Sequence, residues 1–231
     1  MTPPEFSIEF DILYNNLASN TAPPVDEYEK SVFLTKAQSD IALELYSGRN
    51  NFGLAFETSQ EARQYLNTLI TLSEIPLENP TTINGFSEYP VYREWEANAL
   101  VTIREEIVSE GKKYPVIPIS LDMVDSVLRN PFKGPKANRR AISAGANDGN
   151  LNIYVAPSEE SLTYNHWYLK YPAPIILAGI NEEGLTIQGE ECSAYSEEGS
   201  AGELPISLHR AILDRAVMYA KQAYIGGQAQ E

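Results

Sequence analysis

Three side chains have the chemistry of a nucleophile, a neutral-pH base or a soft metal ligand: Cys192, His166 and His209. Zinc sites recruit such residues in close pairs, and no two of these three have that spacing, so no metal site is expected. Cys192 with His209 supplies the residue types of a thiol nucleophile and its base. Glu190, Glu191, Glu197 and Glu198 surround Cys192 in sequence, however, and their charge disfavours the thiolate. The cysteine therefore reads as inert. No G-x-S-x-G, Walker A, dinucleotide-binding glycine fingerprint or H-E-x-x-H occurs, and carboxylate pairs are too abundant in an acidic chain to single out a catalytic couple. No catalytic residue and no cofactor is expected.

Charge points elsewhere. The 231 residues carry a formal net charge of −15, and no Lys/Arg run dominates, which argues against a surface that grips nucleic-acid phosphates. Against that background one stretch is basic: Arg129, Lys133, Lys136, Arg139 and Arg140 fall within residues 129–140. Opposite charges on separated surfaces suit head-to-tail self-association. A second candidate surface is the mixed-charge side of a long helix, with Glu27, Lys30, Ser31, Lys36 and Asp40, and Gln38 beside them. On this reading Lys30→Glu with Lys36→Glu spares the fold and impairs assembly. No apolar run is long enough to span a bilayer, Met1-Thr2-Pro3-Pro4-Glu5 lacks the features of a signal peptide, and a single cysteine fits a chain made in a reducing cytoplasm.

The elements that position these surfaces predict an α+β fold. Phe6, Phe10, Leu13, Tyr14 and Leu17 make one apolar stripe over residues 5–18. After Pro23-Pro24, Asp26 and Glu29 have capping-box spacing. Phe33, Ala37, Ile41 and Leu45 then define a helix to Gly48. A third helix is expected over 58–73, completing a helical layer of about three helices over 1–75. Residues 76–95, rich in Pro, Asn and Thr, read as a loop or arm. A mostly antiparallel β region with one short helix is expected over 96–203. Its first hairpin turns near Gly111, and Pro115 and Pro118 push the second strand towards a sheet edge. Ser120 opens the short helix, with Leu121, Val124, Val127 and Leu128 on its inner side. Asn147-Asp148-Gly149-Asn150 reads as a hairpin turn. Tyr164, Trp167, Tyr168 and Tyr171 read as sheet aromatics, more core than interface. A long helix over 204–225, ended by Gly226-Gly227, is expected to pack back on the helical layer.

Four segments together resemble a known family. They are Phe10-Asp11-Ile12-Leu13-Tyr14-Asn15-Asn16 followed by Ala22-Pro23-Pro24-Val25-Asp26-Glu27-Tyr28-Glu29-Lys30-Ser31-Val32-Phe33-Leu34-Thr35-Lys36-Ala37-Gln38; Asn130-Pro131-Phe132; Tyr171-Pro172-Ala173-Pro174-Ile175-Ile176-Leu177; and Leu208-His209-Arg210-Ala211-Ile212-Leu213-Asp214-Arg215-Ala216-Val217. The combination resembles head–tail connector (adaptor or ring) proteins of tailed bacteriophages, in particular crAss-like short-tailed phages. The resemblance implies a non-enzymatic virion protein, made in the bacterial cytoplasm, whose copies (twelve in such connectors) form a ring at the head–tail junction. It implies contacts with itself, the portal protein and neighbouring tail or ring proteins. DNA passes through the lumen without sequence-specific binding, and no membrane is involved. An acidic lumen would repel phosphates and keep DNA sliding. Another virion or tail-hub component is the nearest alternative, and a small cytoplasmic hydrolase or ligand-binding domain is a more distant one.

Overall fold

A computed structural model describes residues 1–17, 23–49, 53–93, 97–137, 139–145, 150–158 and 160–224. The expected turn residues Asn147, Asp148 and Gly149 and the glycines Gly226 and Gly227 lie outside this set. The chain forms two units: Met1–Leu69 with Tyr171–Glu231, and Ile70–Lys170.

In the first unit, capping fixes the register of the long helix. The Asp26 side chain accepts from Glu29 N at 2.7 Å, Glu29 Oε2 accepts from Asp26 N at 3.2 Å, and α2 runs Glu27–Ser47 to a left-handed Gly48. Helix α1 (Pro3–Leu17) buries Phe6, Phe10 and Tyr14 at intervals of four. In the C-terminal helix (Ile206–Tyr224), Leu208, Ile212, Leu213, Ala216, Val217 and Ala220 are buried. It packs on α2, which contributes Leu34, Ala37, Ile41 and Leu45 to the core, and on α1. Helix α3 (Gln60–Leu66) is shorter than expected. Its cap is Ser59, whose side chain accepts from Ala62 N at 3.3 Å, and a 3-10 turn at Asn67–Leu69 ends it.

The second unit is a sheet. Residues read as the end of a helix and as an arm form strands: β1 (Ile70–Leu77), β2 (Thr81–Ile83) and β3 (Phe86–Val91). β2 and β3 are a local hairpin about Asn84-Gly85, both at positive φ. For β1 the reason is non-local. Ile70-Thr71-Leu72 is β-prone, and it pairs antiparallel with β8 (Leu162–Lys170), a partner ninety residues away that no local pattern announces. The other strands are β4 (Ala99–Ser109), β5 (Lys112–Ile119), β6 (Ala141–Gly145) and β7 (Leu151–Val155). Their order is β1-β8-β4-β5-β6-β7-β3-β2, with only β5–β6 parallel. Glu110 and Gly111, both at positive φ, make the two-residue turn between β4 and β5.

The expectation that Pro115 and Pro118 put β5 at an edge is overturned, since β5 lies inside the sheet. Its first half pairs with β4 and its second half with β6. Each proline therefore lies where the ladder is formed on one side only, so its missing N–H costs no central hydrogen bond. Side chains from β1 and from β3 to β8 share one core, including Leu77, Tyr89, Ile107, Ile153 and Tyr164, so the sheet curls around its inner face. A short helix, α4 (Val124–Leu128), with Val124, Val127 and Leu128, covers Ile142, Ala144 and Tyr154. Leu121, expected on the inner side, is exposed. Among the sheet aromatics Tyr164 and Tyr168 are core, whereas Tyr171 is exposed.

Candidate assembly surfaces

Helix α2 is buried on two sides, and the second side is polar. Ser31, Thr35 and Gln38, at i, i+4 and i+7, meet the segment that follows β8. Leu177 N donates to Ser31 Oγ at 2.9 Å. Ile175 N donates to Thr35 Oγ1 at 3.0 Å, and Thr35 Oγ1 donates to Ile175 O at 3.1 Å. Gln38 Nε2 donates to Ala173 O at 2.7 Å, and Gln38 Oε1 accepts from Glu203 N at 3.1 Å and Leu204 N at 3.4 Å. The other edge of this segment, β9 (Ile175–Ile176), pairs with β12 (Ser200–Ala201). Helix side chains thus do for β9 what a neighbouring strand does elsewhere. Gly202 closes the turn at φ 77; a Cβ there would press on Gln38 Oε1 and lie 2.7 Å from Ile175 Cγ1.

This geometry corrects one expected surface residue. Lys30 is not on a free face. It is 3% exposed, with Nζ 2.8 Å from Asp11 and 2.9 Å from Glu27. Burial works against its charge, but the hydrogen bonds it donates to Asp11 and Glu27, with their negative charge, together outweigh it and hold the ammonium above the ordinary lysine range. Reversing Lys30 would bury a carboxylate without its partner and against the partly exposed Asp11 and Glu27, so the expectation that this change spares the fold does not stand. Gln38, expected on the outer face, is buried as well.

The other α2 residues stay near the surface. Lys36 is exposed, with Nζ 4.9 Å above the Tyr219 ring, and Asp40 accepts from Tyr219 Oη at 2.6 Å. Both border a hollow with Tyr28, Val32 and Ile187. Glu27 instead borders a hollow of about 370 Å³ with Asp26, Tyr28, Ile180, Glu182 and Leu185. Two short strands, β10 (Thr186–Ile187) and β11 (Glu190–Glu191), follow it. Residues 171–204 carry Glu182, Glu183, Glu190, Glu191, Glu197, Glu198 and Glu203 and no Lys or Arg.

The basic turn lies in the sheet unit. Arg129, Lys133 and Arg139 are exposed and Lys136 half-buried, and among the described residues none of these four has a carboxylate partner. Arg140 is different: its guanidinium braces the turn, donating to Gly134 O at 2.8 Å and to Phe132 O. The turn projects Phe132, which is 81% exposed.

The residues with catalytic chemistry are engaged elsewhere. Cys192 is fully buried with Ile176, Ile180 and Ile187, and burial pushes its thiol pKa up. His209 lies 3.0 Å from Leu204 O and 2.8 Å from Met1 N, so no hydrogen bond couples it to Cys192. Sequence reasoning missed one polar cavity of about 410 Å³ in the sheet unit, bordered by Arg93, Thr102, Glu105, Ser143 and His166. Burial, with Arg93 adding to it, lowers the His166 pKa to about 4 and keeps the ring neutral. Burial also raises Glu105, against the hydrogen bond it accepts from Ser143 at 2.8 Å. These residues come from four separate stretches, and no short-range spacing could join them. Among the described residues no group of His, Cys, Asp and Glu is arranged to hold a metal ion, and no helix is long and apolar enough to cross a membrane.

Comparison with known proteins gives consistent results. The family model for phage tail ring protein 3/4 matches residues 1–231. "Ring protein 4/5" of Bacteroides phage crAss001 is 33% identical over 227 residues, covering 96% of this chain and 93% of its own length. "Ring protein 3" of the same phage is 32% identical over 237 residues, covering 95% of each.

Proposed function

This chain belongs to the phage tail ring protein 3/4 family, and from that premise we propose that it is a non-enzymatic virion protein, the subunit of a ring between portal and tail through which genomic DNA passes. Its partners are further copies of itself, twelve in all, together with the portal and neighbouring ring or tail proteins. The observation that carries this reading is the near-full-length similarity to two ring proteins of one phage. The charge of −15 supports a lumen that repels DNA phosphates. Separate acidic and basic surfaces support a ring built by one repeated head-to-tail contact, because such a contact needs two different complementary patches.

Negative-stain imaging of the purified chain, alone and with portal, tests the proposal. Closed rings or portal-bound collars are expected. A persistent monomer in both conditions overturns it, and a ring map with the acidic residues all on the outer wall overturns the DNA-sliding component.

A further inference from the structure

We propose that the Asn130-Pro131-Phe132 turn is the plug of the contact between neighbouring copies. Phe132 of one copy enters the hollow walled by Tyr28, Ile180 and Leu185 on the next. The inference rests on the ring reading and names the surfaces that build the ring.

Four observations carry it. Phe132 is the most exposed large apolar side chain among the described residues, 81% open to solvent. It is also held in place. Asn130 Oδ1 accepts from Phe132 N at 2.9 Å and from Lys133 N at 3.2 Å, Asn130 O accepts from Gly134 N at 2.9 Å, and Arg140 clamps the carbonyls of Phe132 and Gly134. An aromatic side chain on a braced turn loses little freedom on docking, which is how anchor residues gain affinity.

The rims are complementary. Arg129, Lys133 and Arg139 flank the plug, and among the described residues none of them has a carboxylate partner. The 370 Å³ hollow is edged by Asp26, Glu27 and Glu182 and lined by no Lys or Arg. Its apolar wall continues into the buried cluster of Ile176, Ile180, Ile187 and Cys192. The neighbouring hollow has Lys36 on its border and is the poorer match for a basic plug. Plug and hollow are different patches, so a heterologous contact between them can propagate around a ring, whereas reciprocal pairing of the two about a two-fold axis would stop at a dimer.

A charge swap tests the pairing. Plug variant Arg129→Glu/Lys133→Glu and rim variant Glu182→Lys/Glu183→Lys change exposed side chains, and circular dichroism checks their fold. Each alone is expected to fail to form rings. An equimolar mixture is expected to restore them as alternating rings, because every plug then meets a rim of opposite charge. Phe132→Ala is expected to weaken assembly by about 30-fold or more. Rings from each variant alone, or a mixture that stays unassembled, overturn the plug while leaving the ring reading intact. Phe132→Ala rings that form normally but no longer bind portal also overturn it, by assigning the plug to a different partner. A wild-type chain that never assembles overturns the ring reading itself.

Discussion

In residues 70–170 backbone groups pair with other backbone groups along an eight-stranded ladder, so side chains are spared for a shared core. In the other unit, the segment 173–177 and residues 203–204 take much of their pairing from three side chains of α2, namely Ser31, Thr35 and Gln38. A ladder tolerates most substitutions because its hydrogen bonds do not depend on side-chain identity. A helix standing in for a strand has no such tolerance: each bond belongs to a particular residue, and a truncation leaves a buried backbone group without a partner. Polar substitutions should therefore damage the helical unit more than the sheet.

The units can be followed separately. Trp167 lies on β8, so its fluorescence follows the sheet unit, while α1, α2 and the C-terminal helix dominate the helical circular dichroism. The largest effect is expected from Lys30→Glu, which buries an unpaired carboxylate beside those of Asp11 and Glu27 and should cost about 4 kcal/mol. The helical signal should then unfold at lower urea than in wild type, whereas exposed Lys36→Glu should shift it by under about 0.5 kcal/mol. Equal shifts from the two variants would remove the distinction between buried and surface lysine. Gly202→Ala, which combines a left-handed backbone with a crowded Cβ, should cost about 3 kcal/mol in the same signal.

Acid should act on the sheet unit instead. His166 has a folded-state pKa near 4, below its ordinary value of about 6.5, so the unfolded chain takes up the proton first. Stability should fall as pH drops from about 6.5 towards 4 and level off below, by roughly 3 kcal/mol from this group. Glu105, raised by burial, acts in the opposite sense at the acid end of that window. Urea midpoints by tryptophan fluorescence should show the decline in wild type and a flatter profile in His166→Gln; identical profiles would assign the acid response elsewhere. A smaller loss is expected from Thr35→Val, which removes both bonds to Ile175 at the cost of about 1.5 kcal/mol, read from the helical signal.

What could be read from the chain alone was what depends on near neighbours. The capping box at Asp26 and Glu29, the four-residue spacing of Phe6, Phe10 and Tyr14, the Glu110-Gly111 hairpin and the C-terminal helix all follow from residues a few positions apart. The stretch 76–95 was misread for two reasons: β1 and β3 pair with β8 and β7 far along the chain, and the local hairpin of β2 and β3 about Asn84-Gly85, which the sequence did signal, was passed over among prolines and threonines. Lys30 was misplaced for a different reason. A helical wheel places it about 120° from Lys36 and in line with Leu34, Ala37 and Ile41, so its interior position was legible and its charge alone drew it to the surface reading. Of the candidate surfaces, the basic turn was legible because charge clusters in sequence. The hollow was not, since Tyr28 and Leu185 are brought together only by the segment that α2 holds.

Mass photometry of the purified full chain tests the central claim most directly. The account predicts particles at a fixed multiple of the 25.7 kDa subunit mass, lost in Arg129→Glu/Lys133→Glu and regained when that variant is mixed with Glu182→Lys/Glu183→Lys. A single 25.7 kDa species at every concentration, or a two-fold dimer indifferent to those substitutions, would contradict it.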